Sequence, residues 1–158
     1  MKVDKIIKKI QKVDVNISEI TLLSVEEYEK YIDNIPKYDE WWWLRSPGND
    51  SYYAAVIDGD GSVCYGGDGV GDDDDAVRPI IILQSNNFQI KDNFILAGHI
   101  WTLIDNDKAI CNDGIGNTYF RRNWQASDAN DYEVSDIKKW LENWAKDNGI
   151  EIQKSINN

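Results

Sequence analysis

Short apolar runs separated by polar turns organise the first part of the chain. At residues 1–12, apolar side chains recur at helical spacing with lysines on the opposite face, which predicts an amphipathic helix. The apolar run Ile20–Leu23 predicts a short strand. Ser24 and Glu27 then have the spacing of a capping box, so we expect a second helix that begins at Ser24 and extends to about Asn34.

Three tryptophans and a leucine at residues 41–44 predict a buried strand. Because successive side chains of a strand point to opposite faces, Trp41 and Trp43 should share one face and Trp42 should occupy the other. At least one of these rings is expected to pack beneath the loop that follows.

Five further runs have the β-branched and aromatic character of strands: residues 54–57, 62–65, 77–83, 99–105 and 108–112. The first two flank Asp58-Gly59-Asp60-Gly61, and the last two flank Asn106-Asp107. Turns of this composition join antiparallel strands, so each pair is interpreted as a hairpin.

The most regular helical pattern comes late in the chain. Ser135 has the position of an N-cap, and Gly149 stands where a C-terminal glycine cap is expected. The face predicted to pack on the core consists of Ile137, Trp140, Leu141 and Trp144. With 158 residues, the chain is expected to form a single α+β domain of antiparallel strands, two or three helices and a long acidic loop region.

Negative charge is concentrated in the loop region at residues 49–76. It contains eight Asp and no Glu, Lys or Arg, while the whole chain has a formal net charge of -11. Such a charge opposes binding to nucleic acid or an anionic membrane and favours a protein partner with a basic surface. The four consecutive Asp residues could instead be an ordinary solvated loop.

Tyrosines among these charges would supply rigid aromatic contacts of the kind found in binding hot spots. The candidate partner-binding residues are therefore Asp50, Tyr52, Tyr53, Asp58, Asp60, Tyr65, Asp68, Asp72, Asp73, Asp74 and Asp75.

A set of motifs spans residues 41–83. Trp42-Trp43-Leu44-Arg45-Ser46-Pro47-Gly48, Ala54-Ala55-Val56, Asp60-Gly61-Ser62-Val63 and Ala76-Val77-Arg78-Pro79 occur in this order. This series resembles the signature of the DUF6273 family, whose domains occur in bacteria and phages. The resemblance implies a C-type-lectin-like fold. Gly98-His99-Ile100-Trp101 and Trp140-Leu141-Glu142-Asn143 resemble blocks that come early in the family, so a circular permutation is expected.

Some relatives in this family resemble the variable proteins of diversity-generating retroelements, which mutate adenines in an Asn-rich template. Changing the first two bases of an Asn codon cannot produce Lys, Glu, Gln, Met or Trp. All five are missing from residues 44–83 of this chain. The resemblance therefore implies that the loops could have been diversified as a ligand-binding surface.

The residues for other chemistries lack supporting motifs. The single His, His99, lies in an apolar strand pattern and is interpreted as structural. Cys64 and Cys111 match neither a disulfide framework nor a paired-CxxC metal site. From Asp58, the position that requires Gly in an EF-hand holds Val63, and no Glu closes the loop. We expect no catalytic residues, no metal and no cofactor, with calcium and zinc as the alternatives.

These observations lead to three functional hypotheses. The favoured one is a non-enzymatic protein of phage or mobile-element origin that binds a basic, nucleic-acid-handling host protein, for example a CRISPR effector that it would inhibit. The second is a retroelement-diversified protein that recognises a ligand or receptor, and the third is a metal-dependent enzyme. Without an apolar signal segment or a membrane span, the expected location is the cytoplasm of a bacterial host cell.

Overall fold

Strand pairing in the computed structural model, which describes residues 15–84 and 86–153, forms two antiparallel sheets. The five-stranded sheet has the order β1-β5-β8-β7-β6. Its strands are β1 (Ile17–Thr21), β5 (Ile80–Leu83), β6 (Asn93–Leu96), β7 (His99–Asp105) and β8 (Lys108–Cys111). The three-stranded sheet contains β2 (Trp42–Pro47), β3 (Tyr53–Ile57) and β4 (Val63–Gly69) in that order. The α+β prediction is confirmed, whereas the helix predicted at residues 1–12 lies outside the described residues.

The helix predicted after the first strand is confirmed as α1 (Val25–Tyr31), followed by a 3₁₀ turn at Ile32–Asn34. The Ser24 hydroxyl accepts a hydrogen bond from the Glu27 amide, and the Glu27 carboxylate accepts one from the Ser24 amide. This capping box satisfies amides at the start of the helix that have no partner within it.

Strand β2 separates the two parts of the hydrophobic core. Trp43 packs in one buried cluster with Phe120 and Trp101, while Trp42 and Leu44 pack in the other. The predicted alternation of side chains is therefore confirmed for Trp42 and Trp43. The prediction that Trp41 is buried is wrong, because Trp41 precedes the strand and is 47% exposed.

Both predicted hairpins are present. Strands β3 and β4 pair with Ile57 opposite Val63, and β7 and β8 pair with Asp105 opposite Lys108. The run at 77–83 becomes a strand only at Ile80, because Pro79 has no amide hydrogen to donate and the Val77 amide donates to the Gly116 carbonyl instead. Strand β6 had not been predicted.

The late helix, α2, extends from Asp136 to Asp147 with Ser135 as its N-cap. The Ile150 amide donates to the Ala145 carbonyl and the Gly149 amide to the Lys146 carbonyl, a Schellman ending with Gly149 at φ +73°. The fully packed face consists of Ile137, Leu141 and Ala145. Trp140 and Trp144, predicted on that face, are only partly buried.

Arg78 ties the segment before β5 to the rest of the fold. Its guanidinium donates to the carbonyls of Cys111, Pro36 and Asn112. The group also lies 4.9 Å from the Trp42 ring centroid and 5.5 Å from that of Tyr38. Burial lowers the pKa of Arg78 to about 10, which leaves the side chain charged at neutral pH. These contacts fix the end of the acidic loop region, three residues earlier.

Candidate functional site

The β3–β4 hairpin divides the predicted site residues into separate groups. Asp58 and Asp60 lie at its turn, whereas Asp50 precedes β3 and Asp68 lies near the end of β4, at the opposite end of the strand pair. The Asp58 carboxylate accepts hydrogen bonds from the amides of Asp60 and Ser62. Hydrogen bonds with Asp58 and Ser62 lower the pKa of Asp60 to about 2. These two carboxylates therefore build the turn.

Tyr65 is directed toward α1. Its hydroxyl donates to the Glu29 carboxylate, and its ring is 57% exposed. The hydrogen bond to Glu29 raises the pKa of Tyr65. Tyr65 of β4 thus contributes to the surface next to α1.

The loop after β4 brings several carboxylates together. Asp68, Asp72 and Asp74 each offer an oxygen, and these oxygens lie within 4.8 Å of one another. Asp75 follows and is only 3% exposed, so the prediction that it forms part of the exposed surface is wrong. Its side chain lies beside that of Asp68. We name Asp68, Asp72, Asp74 and Asp75 the carboxylate cluster.

Asp68, Asp74 and Asp75 of the carboxylate cluster line a cleft of about 380 Å³. The cleft is also lined by Glu40, Tyr38, Trp41 and Asn117. The Asn117 side-chain amide donates to the backbone carbonyl of Asp74 at 3.2 Å, which holds the loop against the segment after β8. No lysine, arginine or histidine among the described residues lines this cleft.

Proximity changes the protonation of these carboxyl groups. Burial and the nearby Asp68 carboxylate raise the pKa of Asp75 to about 8, and a hydrogen bond with Asp68 together with partial burial raises that of Asp72 to about 6. Although burial raises the pKa of Asp68, the hydrogen bonds from Asp75 and Asp72 outweigh it and leave that pKa below its ordinary value. Two adjacent carboxylates resist joint ionisation, which adds to burial as the physical cause of the raised pKa of Asp75 beside Asp68.

Exposed aromatic rings lie beside the same loop. Tyr52 is 41% exposed and its ring centroid is 6.2 Å from that of Trp124, which is 51% exposed. The loop 50–53 is joined to the acidic loop by a hydrogen bond from the Val70 amide to the Tyr52 carbonyl. A side-chain carbon at Gly71 would lie 3.4 Å from the Trp124 ring, so Trp124 packs directly on the acidic loop. Tyr52 and Trp124 form the aromatic pair.

The remaining predicted residues lie around the aromatic pair. Tyr53 is half-buried, with its ring centroid 4.7 Å from that of Tyr52, while Asp50 and Asp73 are exposed. The Asp50 carbonyl accepts a hydrogen bond from the Asn130 side chain. Trp124 had not been predicted as a site residue. The available signal was a tryptophan in a polar segment, Arg122-Asn123-Trp124-Gln125, which cannot pack as a core element.

The cysteine and histidine side chains that could bind a metal do not form a cluster among the described residues. In residues 15–84 and 86–153, the carboxylate group described above is the only set of three or more side chains with metal-ligand spacing. A zinc site from Cys64, Cys111 and His99 is therefore not assembled there. The two cysteines are unpaired, and the His99 ring lies 5.9 Å from that of Trp144. None of the described helices is both long and apolar enough to cross a membrane.

Comparisons with known proteins agree with one part of the sequence prediction. Searches of curated proteins and of solved structures found no significant match. Residues 11–85, just under half of the chain, match the model of a family described as a domain of unknown function, DUF6273. This match supports the assignment of the segment, which contains the Trp-rich and Val-Arg-Pro motifs, to that domain.

Proposed function

We propose that this protein is a non-enzymatic binding module that captures a basic protein through the surface formed by the aromatic pair and the acidic loop at residues 68–75. The observation that carries the proposal is the packing of exposed Trp124 on Gly71, next to Asp72 and Asp73. Large aromatic rings contribute binding energy at interface centres, and surrounding charges steer the partner.

The distribution of charge supports a basic partner. The loop carries Asp72, Asp73 and Asp74 at exposed positions, while Asp75 is buried. Exposed carboxylates attract lysine and arginine side chains over distances of about 8–10 Å at physiological salt. Nucleic-acid-handling proteins present such basic surfaces, and we propose inhibition of one of them as the consequence of binding.

Capture from a bacterial lysate, in buffer containing chelator, tests this proposal. Wild-type protein and the variants Trp124→Ala and Asp73→Asn/Asp74→Asn are immobilised, and the retained proteins are quantified. We expect one basic protein that wild type retains and that both variants lose by at least tenfold. The charge-matched control, Glu142→Gln/Asp147→Asn on the exposed part of α2, should retain it. Equal retention by wild type, Trp124→Ala and the loop variant would contradict the proposal.

A second candidate function is a retroelement-diversified binding surface, and its support is the position of the segment that lacks five residue types. Residues 50–53 and 71–75 come from two loops of the segment that lacks Lys, Glu, Gln, Met and Trp, and hydrogen bonding between Tyr52 and Val70 brings the two loops together. A retroelement-diversified binding surface would need such a juxtaposition. This candidate requires a reverse transcriptase gene and an Asn-rich template repeat near the gene, and their absence would exclude it.

The fold proposed for this module is C-type-lectin-like and circularly permuted. Its support is the order of the motifs, in which the strand containing Trp101 and the helix containing Trp140 follow the DUF6273 segment. An experimental structure of a family member with the unpermuted order would test this relationship.

A further inference from the structure

We infer that the carboxylate cluster binds one divalent cation of the calcium type. The four carboxyl side chains of the cluster occur within the eight residues 68–75, and those of Asp68, Asp72 and Asp74 place oxygens within 4.8 Å of one another. This spacing allows several oxygens to contact one ion, since calcium binds six to eight oxygen ligands at roughly 2.3–2.6 Å. The inference goes beyond the proposed function, and either can fail without the other.

The independent observation is Asp75. The residue is only 3% exposed, and its Oδ2 has no hydrogen-bond partner among the described residues. Asp75 nevertheless lines the same cleft as Asp68 and Asp74. A buried carboxylate oxygen without a donor is unfavourable, and a bound cation would satisfy it. Burial of this residue is therefore what distinguishes the carboxylate cluster from an ordinary acidic loop.

The donor types around the cleft select the class of cation. Glu40 and Asn117 add further oxygen donors to those of the carboxylate cluster, whereas no cysteine or histidine lines the cleft. Hard cations prefer an all-oxygen set, while zinc is usually held by nitrogen and sulfur. The number of carboxylates and the irregular loop favour calcium over magnesium, which requires near-octahedral geometry.

Two hydrogen bonds already shape this segment for such a role. The Asp72 amide donates to the Gly69 carbonyl at 3.0 Å, and the Gly69 amide donates to the Asp68 carboxylate at 2.9 Å. With the Asn117 contact to Asp74, these bonds hold the backbone on both sides of the cluster. Binding of the cation would tie Asp72 and Asp74 to the buried end of the loop.

Calorimetric titration of the chelator-treated full chain with CaCl₂, and separately with MgCl₂, tests the inference. We expect saturable 1:1 binding of calcium, weaker binding of magnesium, and at least tenfold weaker calcium binding by Asp68→Asn, Asp72→Asn and Asp75→Asn. The matched control is Asp73→Asn, which removes one charge from the same loop but lies outside the group of converging oxygens. It should change the affinity by less than about threefold.

Thermal unfolding provides a second readout that separates ligation from folding defects. Calcium at about 100 times its Kd should raise the Tm of wild type and Asp73→Asn by roughly 5–10 °C. The Tm of Asp75→Asn should be unaffected by calcium, although this variant should be at least as stable as wild type in chelator. If Asp75→Asn does not fold, Asp72→Asn and Asp73→Asn can still be compared. Both change an exposed residue, but only Asp72 is a proposed ligand.

Three outcomes would overturn the inference. One is the absence of saturable heat and of any Tm increase with calcium. Another is an equal loss of affinity in Asp73→Asn and Asp72→Asn, which would show diffuse counterion attraction. The third is unchanged affinity in a folded Asp75→Asn, because the buried carboxylate would then not be a ligand.

Discussion

Glu27 combines two stabilising roles in a single side chain. It completes the capping box of α1 and pairs with Arg45 on β2. Burial raises its pKa, but the hydrogen bonds from Arg45 and Ser24 outweigh burial and leave the pKa below its ordinary value. A carboxyl group whose pKa is lowered by folding stabilises the protein above its unfolded-state pKa and loses that contribution as pH falls through the folded-state pKa.

We therefore predict that Glu27→Ala lowers the free energy of unfolding at pH 7 by about 1–2 kcal/mol. Glu27→Gln should cost less, since an amide can still cap the helix but cannot pair ionically with Arg45. The difference between wild type and Glu27→Gln should be constant from pH 7 to about 5.5 and should disappear at lower pH. Urea unfolding across this range measures it, and a difference that persists below pH 3 would show that the ion pair contributes nothing.

The two cysteines should differ in reactivity because the fold buries only one of them. Cys111 is fully buried in β8, and burial raises its pKa to about 11, whereas Cys64 is partly exposed. The thiolate is the reactive species. We predict that a thiol reagent at pH 8 modifies Cys64 in the native protein and Cys111 only after unfolding. Cys64→Ser is the control, which should leave almost no native reactivity; rapid modification of Cys111 in that variant would contradict the assignment.

At the scale of the element, the packing of α2 tests which face of this helix contacts the core. Leu141 is fully buried, whereas the Trp140 ring contacts the loop at Gly116 and remains partly accessible. Leu141→Ala should destabilise the protein by about 2–5 kcal/mol. Trp140→Ala should cost only about 1–2 kcal/mol, because a partly exposed ring loses less burial than the 3–5 kcal/mol typical of a fully buried one. Denaturant unfolding measures the free energy of unfolding of both variants. A larger decrease for Trp140→Ala than for Leu141→Ala would show that the assigned core-facing side of α2 is wrong.

Across the whole molecule, negative charge is unevenly distributed, and four consecutive aspartates lie in the loop that follows β4. Removing exposed charge there should affect association more than folding. We predict that Asp73→Asn/Asp74→Asn lowers the association rate with the captured partner about 3–10-fold at low salt and flattens the salt dependence of that rate. The Tm of the variant in chelator should be unchanged or slightly higher, because repulsion within the loop is relieved.

Stopped-flow or surface-binding kinetics between about 20 and 300 mM NaCl measures this effect. The control is again Glu142→Gln/Asp147→Asn, which removes two charges from an exposed part of α2 and should leave the rate unaltered. Identical rates for the loop variant and wild type at low salt would place recognition on another surface.

Local patterns in the sequence determined much of the fold. The capping box at Ser24 and Glu27, the Gly-containing hairpin turn before Val63 and the glycine cap at Gly149 each depend on residues within a few positions of one another. Such short-range hydrogen bonding and backbone preferences can be inferred without knowing the rest of the chain. Strand β6 was missed because Asn93–Leu96 contains only three apolar residues, too few to show a strand pattern.

The candidate site depended on contacts between distant segments. The sequence identified the excess of aspartates, but it could not show that Asp75 is buried beside Asp68 while Asp73 is exposed, since both lie in the same run of four. Nor could it place Trp124 beside Tyr52, because the two residues are 72 positions apart along the chain and meet only in the folded protein. The sequence by itself determined the elements, their caps and the sign of the charge. Only the tertiary structure decided which charges converge and which aromatic rings accompany them, because long-range packing sets burial and proximity.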